Sequence, residues 1–280
     1  MRILCVVIAG LAMSGCRPRA QRAASPGGDA SADAAMGATG DASSHDVADA
    51  TADAGAGAGA GAGAEASATV AADAGPAVVE RVAVPKDRDA VLVRGRVPGE
   101  VRAVFVPGVC SNATAYLKEF PETAREHGGI LAIDGEKPCG KPDSGFRSFV
   151  YSAAVQKTRL MAALAAAGVH APADGLTLVG YSAGASLAQM IHSRWPKLFP
   201  RVVLIAPPDD PDINYLVHAR AVVSMSCSRD VPWRMKGATQ RLARLGVPSL
   251  YLEMPDCSHG EVADAERIFG EAFDFLDAPR

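Results

Sequence analysis

The chain has few aromatic residues and no excess of positive charge, and both shortages restrict what it can bind. Only 5% of its 280 residues are aromatic, which argues against large stacking platforms for flat ligands. Its 28 Lys and Arg residues are outnumbered by 31 Asp and Glu residues, for a net charge of −3. Nucleic-acid binding normally leaves a clear basic footprint, so we expect no nucleic-acid partner.

The N-terminus carries an apolar run that is too short to span a bilayer as a mature helix. The run follows Met1 and Arg2 and covers residues 3–13, and Ser14, Gly15 and Cys16 come directly after it. A basic start, an apolar stretch and small residues at the end are typical of a secretory signal. The closing Met-Ser-Gly-Cys sequence resembles the lipobox of bacterial lipoproteins, in which the chain is cut before the cysteine and the cysteine is lipidated. The resemblance implies a signal peptide over residues 1–16 and a lipid anchor on Cys16. The alternative is an ordinary signal peptide that contains a cysteine.

Residues 17–75 lack the side chains that could build a core. They are mostly Ala, Gly, Asp and Ser, with strict Gly-Ala alternation over residues 55–64. Such a segment cannot bury enough apolar surface to offset its ordering entropy, so we expect a flexible tether. Arg17 follows Cys16, where many inner-membrane lipoproteins have Asp. This favours the outer membrane or the periplasmic face of a bacterial envelope for the exported chain.

Residues 76–280 have the size and pattern of one folded domain. Eight strands are expected at residues 77–84, 90–93, 101–106, 130–133, 176–181, 201–206, 220–225 and 249–253. Helices are expected at residues 114–127, 148–167, 183–195, 239–245 and 261–276. Unalternated apolar strands are buried on both faces. The pattern therefore predicts an α/β domain with an eight-stranded, mostly parallel sheet covered by helices on both sides.

The sequence Gly180-Tyr181-Ser182-Ala183-Gly184 is the most informative motif. It joins an apolar strand pattern to a helical pattern and puts a serine at the apex of a tight turn. This turn strains the serine and exposes its hydroxyl, while the flanking glycines allow strand and helix to approach closely. The motif predicts that Ser182 is a nucleophile. The alternative is an exposed serine in an ordinary strand–helix turn.

A serine nucleophile needs a base that takes its proton and a third group that orients the base. His259 lies in a loop of small residues after the eighth strand and is the candidate base. His192, on the helix behind the serine, should point away. Asp230, in the loop after the seventh strand, is the candidate orienting carboxylate. The runners-up follow the sixth strand and are Asp209, Asp210 and Asp212.

Acyl transfer also needs backbone N–H groups directed at the developing oxyanion. The Ala183 N–H, at a helix N-terminus, is one candidate. The Val109 N–H, in the turn after the third strand, is the other, and Gly108 lets that backbone come close. No cofactor and no metal is implied.

With these motifs, the chain resembles the α/β-hydrolase superfamily over residues 76–280. The features that match are the elbow from Gly180 to Gly184, the Ser-Asp-His order, the turn at Gly108 and the eight strands. The resemblance implies the strand order 1-2-4-3-5-6-7-8 and hydrolysis of esters or thioesters through an acyl-enzyme.

Two features depart from the family pattern. Many members have His before the oxyanion glycine, where this chain has Pro107. Many also insert a helical lid after the sixth strand, where residues 207–219 form only a short connection. We therefore expect little or no lid and an open site.

The folded part has four cysteines, an even number that suits an exported protein. Sequence alone allows three pairings of Cys110, Cys139, Cys227 and Cys257. In the strand order that the resemblance implies, the first two follow neighbouring strands and so do the last two. It therefore implies the disulfides Cys110–Cys139 and Cys227–Cys257, each of which would fix a loop of the site. The competing interpretation, a metal site, does not match zinc-knuckle spacings.

These patterns predict an exported, lipid-anchored serine hydrolase with a small-molecule or acyl-ester substrate, attached to a membrane by its anchor. Two alternatives stay open. The same triad serves acyltransferases and peptidases, and a catalytically silent domain of this fold could act as a surface binding module.

Overall fold

The computed structural model describes residues 75–141 and 145–279. The expected signal peptide, the lipidation site Cys16 and nearly all of the expected tether lie outside these residues.

Apolar, β-branched runs form the sheet, as the sequence predicts. The strands are β1 (Val79–Val82), β2 (Ala90–Arg94), β3 (Ala103–Val106), β4 (Gly129–Ile133), β5 (Lys137–Pro138), β6 (Arg147–Ser148), β7 (Thr177–Tyr181), β8 (Arg201–Ile205), β9 (Ala221–Cys227) and β10 (Ser249–Met254). Eight of them build one sheet in the order β1-β2-β4-β3-β7-β8-β9-β10, and β5 pairs with β6 in a separate hairpin. Without that hairpin, this is the predicted strand order, and it is confirmed.

The sheet is mostly parallel. In the large sheet, the neighbouring strands β4, β3, β7, β8, β9 and β10 all run parallel. Strand β2 is antiparallel to both of its neighbours, β1 and β4. The carboxyl ends of the parallel strands therefore meet at one edge, which is where ligands bind in open α/β sheets.

Helices cover both faces of the sheet. They are α1 (Ala113–Leu117), α2 (Pro121–Glu126), α3 (Ala153–Ala166), α4 (Ala183–Arg194), α5 (Pro232–Arg244) and α6 (Ala265–Asp277). One buried cluster joins the sheet to α3, α4 and α5 through Leu160, Leu187 and Leu242. A second joins the other face to α1, α2 and α6, with Leu117 and Phe269 among its members.

Successive strand residues serve the two clusters in turn, because side chains alternate across a sheet. In β3, Val104 belongs to the first cluster and Phe105 to the second. Both are almost fully buried, so the strand reads as a continuous apolar run instead of an alternating one.

The prediction of a single helix over residues 114–127 was wrong, because the structure has two short helices there. Helix α1 ends at Leu117, and α2 begins with Pro121 in its first turn. A proline lacks the N–H that would continue the preceding helix, and its fixed φ suits a helix start. The chain therefore turns at Phe120 and begins a new helix.

Three other helices have different bounds from those expected. Helix α3 begins at Ala153, behind the N-cap Ser152, because residues 147–148 belong to the hairpin. Helix α5 extends back to Pro232, another proline in a first turn. Helix α6 begins only at Ala265, because the residues before it form the loop that follows β10.

The connection between β8 and β9 is short, as expected for a domain with little or no lid. It contains one 3-10 turn, Ile213–Tyr215, and no α-helix. Across the two described ranges, no helix combines the length and the apolar content needed to cross a membrane.

Helix α6 should stabilise the domain largely through Phe269. This side chain stacks on Phe120 with ring centroids 3.8 Å apart and is almost fully buried. We expect Phe269→Ala to lower the free energy of unfolding by about 3–5 kcal/mol, because it leaves a cavity between α2 and α6. Guanidinium unfolding of the full chain, followed by circular dichroism, measures this. Val97→Ala, on a side chain that is 60% exposed, is the control and should change the value by less than about 0.5 kcal/mol. Equal effects of the two substitutions would contradict the packing described.

Candidate active site

Ser182 lies at the tight turn between β7 and α4. Its backbone has φ 52° and ψ −123°, a conformation that costs a non-glycine residue about 1–3 kcal/mol. The strain is maintained because the serine N–H bonds the Ile205 carbonyl and its own carbonyl accepts from Ala185. The turn thus holds the side chain at the carboxyl edge of the sheet.

The two glycines of the motif are required by close backbone contacts. A side-chain carbon on Gly180 would overlap the Gly184 carbonyl, and one on Gly184 would overlap the carbonyls of Val106 and Pro107. Helix α4 therefore packs its first turn directly against the end of β3. No residue with a side chain fits at either position without moving the backbone.

Three side chains from three loops form a hydrogen-bonded relay at this edge. Ser182 Oγ is 3.0 Å from His259 Nε2, and His259 Nδ1 is 2.8 Å from Asp230 Oδ2. An ionised carboxylate can only accept, so Nδ1 carries the imidazole proton and Nε2 accepts from the serine hydroxyl. This tautomer is the one in which a histidine can remove a proton from serine.

The carboxylate and the imidazole of the relay differ in their exposure to solvent. The Asp230 side chain is 11% exposed, whereas that of His259 is 46% exposed. The carboxylate is thus sheltered, while the imidazole is partly open to solvent.

The alternative carboxylates lie elsewhere. Asp210 pairs with Arg234 at 2.9 Å, and Asp212 caps the 3-10 turn by accepting from the Asn214 N–H. Asp209 lines a shallow groove beside α4 and is not bonded to His259. Asp256, close to His259 in sequence, instead faces Arg229.

His192 points away from the site, as the sequence suggested. It is fully buried, and its Nδ1 donates to the Phe199 carbonyl at 2.7 Å. Burial lowers the pKa of His192, because a charged imidazole would lose its hydration there. It therefore has a structural role in the neutral form.

The turn after β3 lies against the nucleophile. β3 and β7 are neighbours with Val106 opposite Gly180, and a carbon on Gly108 would lie 3.1 Å from Ser182 Cβ. Among the described residues, neither the Val109 N–H nor the Ala183 N–H donates a backbone hydrogen bond. Both candidate oxyanion donors are thus unpaired groups near Ser182.

Two disulfides join the loops around this edge. The structure pairs Cys110 with Cys139 and Cys227 with Cys257, as the resemblance implied. The first bond links the turn after β3 to the segment after β4. The second links the loop that carries Asp230 to the loop that carries His259.

Sequence reasoning missed the β5–β6 hairpin, which supports the turn after β3. Ser111 and Arg147 pair through two backbone hydrogen bonds, of 3.4 and 3.1 Å, and Cys139 bonds the Phe146 carbonyl at 3.0 Å. Two-residue strands have no periodicity that a sequence could reveal. The turn is thus held both by a disulfide and by a small strand pairing.

A second missed contact joins the elbow to the His259 loop. The hydroxyl of Tyr181 accepts a hydrogen bond from the Gly260 N–H at 2.6 Å. The two residues are 79 positions apart, and nothing in the sequence indicates that they meet.

Over the described ranges, no group of three or more His, Cys, Asp or Glu side chains is placed to hold a metal ion.

Solved structures with the same architecture exist, although the comparisons with family models and with curated proteins find no match. No protein-family model matches the chain, and no curated protein is similar to it in sequence. A CIB-like hydrolase from Thermoplasma acidophilum aligns over 71% of this chain and 97% of its own, with TM-score 0.53 and 15% identity. The fluorophosphonate-binding serine hydrolase F of Staphylococcus aureus aligns over 73% and 100%, with TM-score 0.53 and 10% identity. The S-formylglutathione hydrolase of Staphylococcus aureus aligns over 71% and 98%, with TM-score 0.50 and 11% identity.

The fold is that of the α/β-hydrolases. Identities this low show the fold and no more, since one fold hosts many activities.

The close contact at Gly184 yields a prediction with a matched control. Gly184→Ala should lower the free energy of unfolding by about 1–3 kcal/mol, because the new carbon overlaps two carbonyls at the end of β3. Gly237→Ala, in α5, should raise it by about 0.5–1 kcal/mol, because that site is open and alanine favours helix. Guanidinium unfolding of the two variants measures the difference. If both substitutions stabilise the chain, the close contact at the elbow is absent.

Proposed function

We propose that this chain is an exported, lipid-anchored serine hydrolase that cleaves carboxylic esters through Ser182, His259 and Asp230. The relay at the elbow carries the proposal, with its contacts of 3.0 Å and 2.8 Å between the three side chains. A strained, close-packed turn that presents a serine to a histidine has no evident structural purpose. It is what nucleophilic catalysis at neutral pH requires.

In the proposed reaction, Ser182 Oγ attacks the ester carbonyl while His259 Nε2 takes the hydroxyl proton. Asp230 holds the imidazole in the correct tautomer and stabilises the imidazolium that forms. The sheltered position of the carboxylate strengthens its interaction with that cation, because fewer waters screen it.

The oxyanion of the tetrahedral intermediate would be held by the backbone N–H groups of Val109 and Ala183. The Ala183 group opens a 12-residue helix, whose N-terminus favours negative charge. When the intermediate collapses, His259 returns its proton to the leaving alkoxide and an acyl-enzyme remains. Water then attacks the acyl-enzyme with His259 as base, which releases the acid and restores the serine.

Small esters or thioesters suit this site better than lipid substrates whose long acyl chain must be buried. Among the described residues, the connection after β8 contains only a 3-10 turn, and the His259 side chain is 46% exposed. We therefore propose an open site that does not enclose a long acyl chain. The name of one Staphylococcus aureus neighbour, an S-formylglutathione hydrolase, describes hydrolysis of a small thioester. We propose small acyl esters for this chain, on the same triad that an acyltransferase or a peptidase would use.

Anchoring follows from the sequence of residues 1–16 and from the composition of the tether. In this proposal, residues 17–75, rich in Ala, Gly, Asp and Ser, serve as the tether between the lipid anchor and the domain. The two disulfides suit the oxidising compartment that export implies.

Active-site labelling tests the proposal. We expect a fluorophosphonate probe to label the full chain under non-reducing conditions and to leave Ser182→Ala unlabelled, because only an activated serine reacts. His259→Ala and Asp230→Asn should slow labelling by on the order of 10²–10⁴-fold, since the proton acceptor or its orientation is lost. The rate of p-nitrophenyl acetate hydrolysis should fall in the same three variants.

Ser186→Ala is the matched control, because Ser186 lies one turn further along α4 and takes no part in the relay. It should be labelled at the parent rate. A folded, disulfide-intact parent that fails to react with the probe would refute the hydrolase and favour the surface binding module.

A further inference from the structure

Tyr181, the last residue of β7, has a buried hydroxyl whose partners lie on another loop. The residue is 1% exposed, and a buried tyrosine normally finds a hydrogen-bond partner for its hydroxyl. The Tyr181 hydroxyl accepts from the Gly260 N–H at 2.6 Å and donates to the Glu261 carbonyl at 3.3 Å. Both partners follow His259 directly in the chain.

The ring of Tyr181 is fixed by its neighbours. It packs against Tyr116, with centroids 5.0 Å apart, and against the His259 imidazole, with centroids 5.6 Å apart. A side chain confined on two sides places its hydroxyl at one position. The backbone that bonds to that hydroxyl is thereby placed as well.

The other attachments of the His259 loop lie on either side of the histidine. Its N-terminal side is held by the Cys227–Cys257 disulfide, two residues before His259. On its C-terminal side, Gly260 is exposed and has a left-handed φ of 95°, so the backbone there is not held by packing. Further along, Glu261 bonds Ser258, and Val262 and Ala263 pack against the second buried cluster. The two hydrogen bonds to Tyr181 are the attachments to the sheet that lie nearest His259 on this side.

Tyr181 and Ser182 are consecutive, so the nucleophile and the support of its base share one rigid strand end. We propose that Tyr181 is a positioning residue: its hydroxyl fixes the backbone after His259 and so sets the geometry of the Ser182–His259–Asp230 relay. The inference rests on the proposed function for its catalytic consequence, and on geometry alone for its effect on the relay.

The hydroxyl keeps its proton under all working conditions. Burial raises the pKa of Tyr181 well above its usual range, and the neighbouring Tyr116 adds to this. The donor bond to the Glu261 carbonyl therefore does not titrate near neutral pH.

The substitution Tyr181→Phe removes the hydroxyl and keeps the ring. We expect the fluorophosphonate labelling rate and kcat for p-nitrophenyl acetate to fall by about 10- to 100-fold, because an ångström of misplacement between base and nucleophile has an effect of that size. KM should change by less than about twofold, since the hydroxyl does not face the substrate side. A loss of folded protein alone would lower the active concentration and leave the reactivity of the folded fraction unchanged.

Tyr116→Phe is the matched control. It removes a hydroxyl from the adjacent, partly buried ring, a hydroxyl that makes no hydrogen bond with the described residues, and it should leave rate and KM at the parent values. Thermal unfolding of both variants checks that comparisons are made on folded chains.

A spectroscopic measurement separates the positioning effect from catalysis. In ¹⁵N-histidine-labelled protein, the Nδ1 proton shared by His259 and Asp230 gives a downfield resonance, assigned by its absence in His259→Gln. We expect it to broaden or vanish in Tyr181→Phe and to persist in Tyr116→Phe.

The two proposals fail differently. A parent that does not react with the probe refutes the hydrolase, while the histidine resonance still decides whether Tyr181 holds the relay. A Tyr181→Phe chain with the parent resonance and the parent labelling rate would overturn the positioning role and leave the hydrolase intact.

Discussion

The candidate site depends on one backbone contact, between the first turn of α4 and the end of β3. It exists because residue 184 is a glycine, since any side chain there would overlap the carbonyls of Val106 and Pro107. Through this contact the elbow at Ser182 and the turn at Gly108 become one unit. The two candidate oxyanion donors, the N–H groups of Val109 and Ala183, both belong to this unit, and the proposed mechanism uses them as donors that are in place before a ligand arrives.

The other half of the relay comes from strands further along the sheet. Asp230 follows β9 and His259 follows β10, two adjacent parallel strands whose ends are joined by Cys227–Cys257. β8 separates these strands from β7, so direct strand pairing does not connect the base to the nucleophile. The contact from Tyr181 to Gly260 bridges that gap. The loop that carries His259 is thus attached to the sheet on one side of the histidine by the Cys227–Cys257 disulfide and on the other side by the hydrogen bond to Tyr181.

Sequence reasoning predicted the sheet well, because its strands are long apolar runs whose burial leaves few alternatives. The elbow was also visible, since strand, glycine-flanked serine and helix are consecutive in the chain. The break at Pro121 was missed, because a proline that opens a helix and one that interrupts a helix look alike in a periodic pattern. The β5–β6 hairpin was missed for a different reason, because its strands are too short for any pattern. Contacts such as Tyr181 to Gly260 depend on tertiary geometry alone.

The two disulfides have a further consequence for how the chain matures. Each closes a loop of about 30 residues, and in the chain-entropy model each is worth roughly 3.5 kcal/mol. Cys110 pairs with Cys139 and Cys227 with Cys257, so within the described residues each cysteine pairs with its neighbour in the sequence and the loops do not overlap. A chain that emerges N-terminus first presents the two partners of each bond in turn. For these four cysteines of the described residues, oxidation in order of appearance therefore yields the pairs Cys110–Cys139 and Cys227–Cys257 directly, with no crossed pair among them to be rearranged.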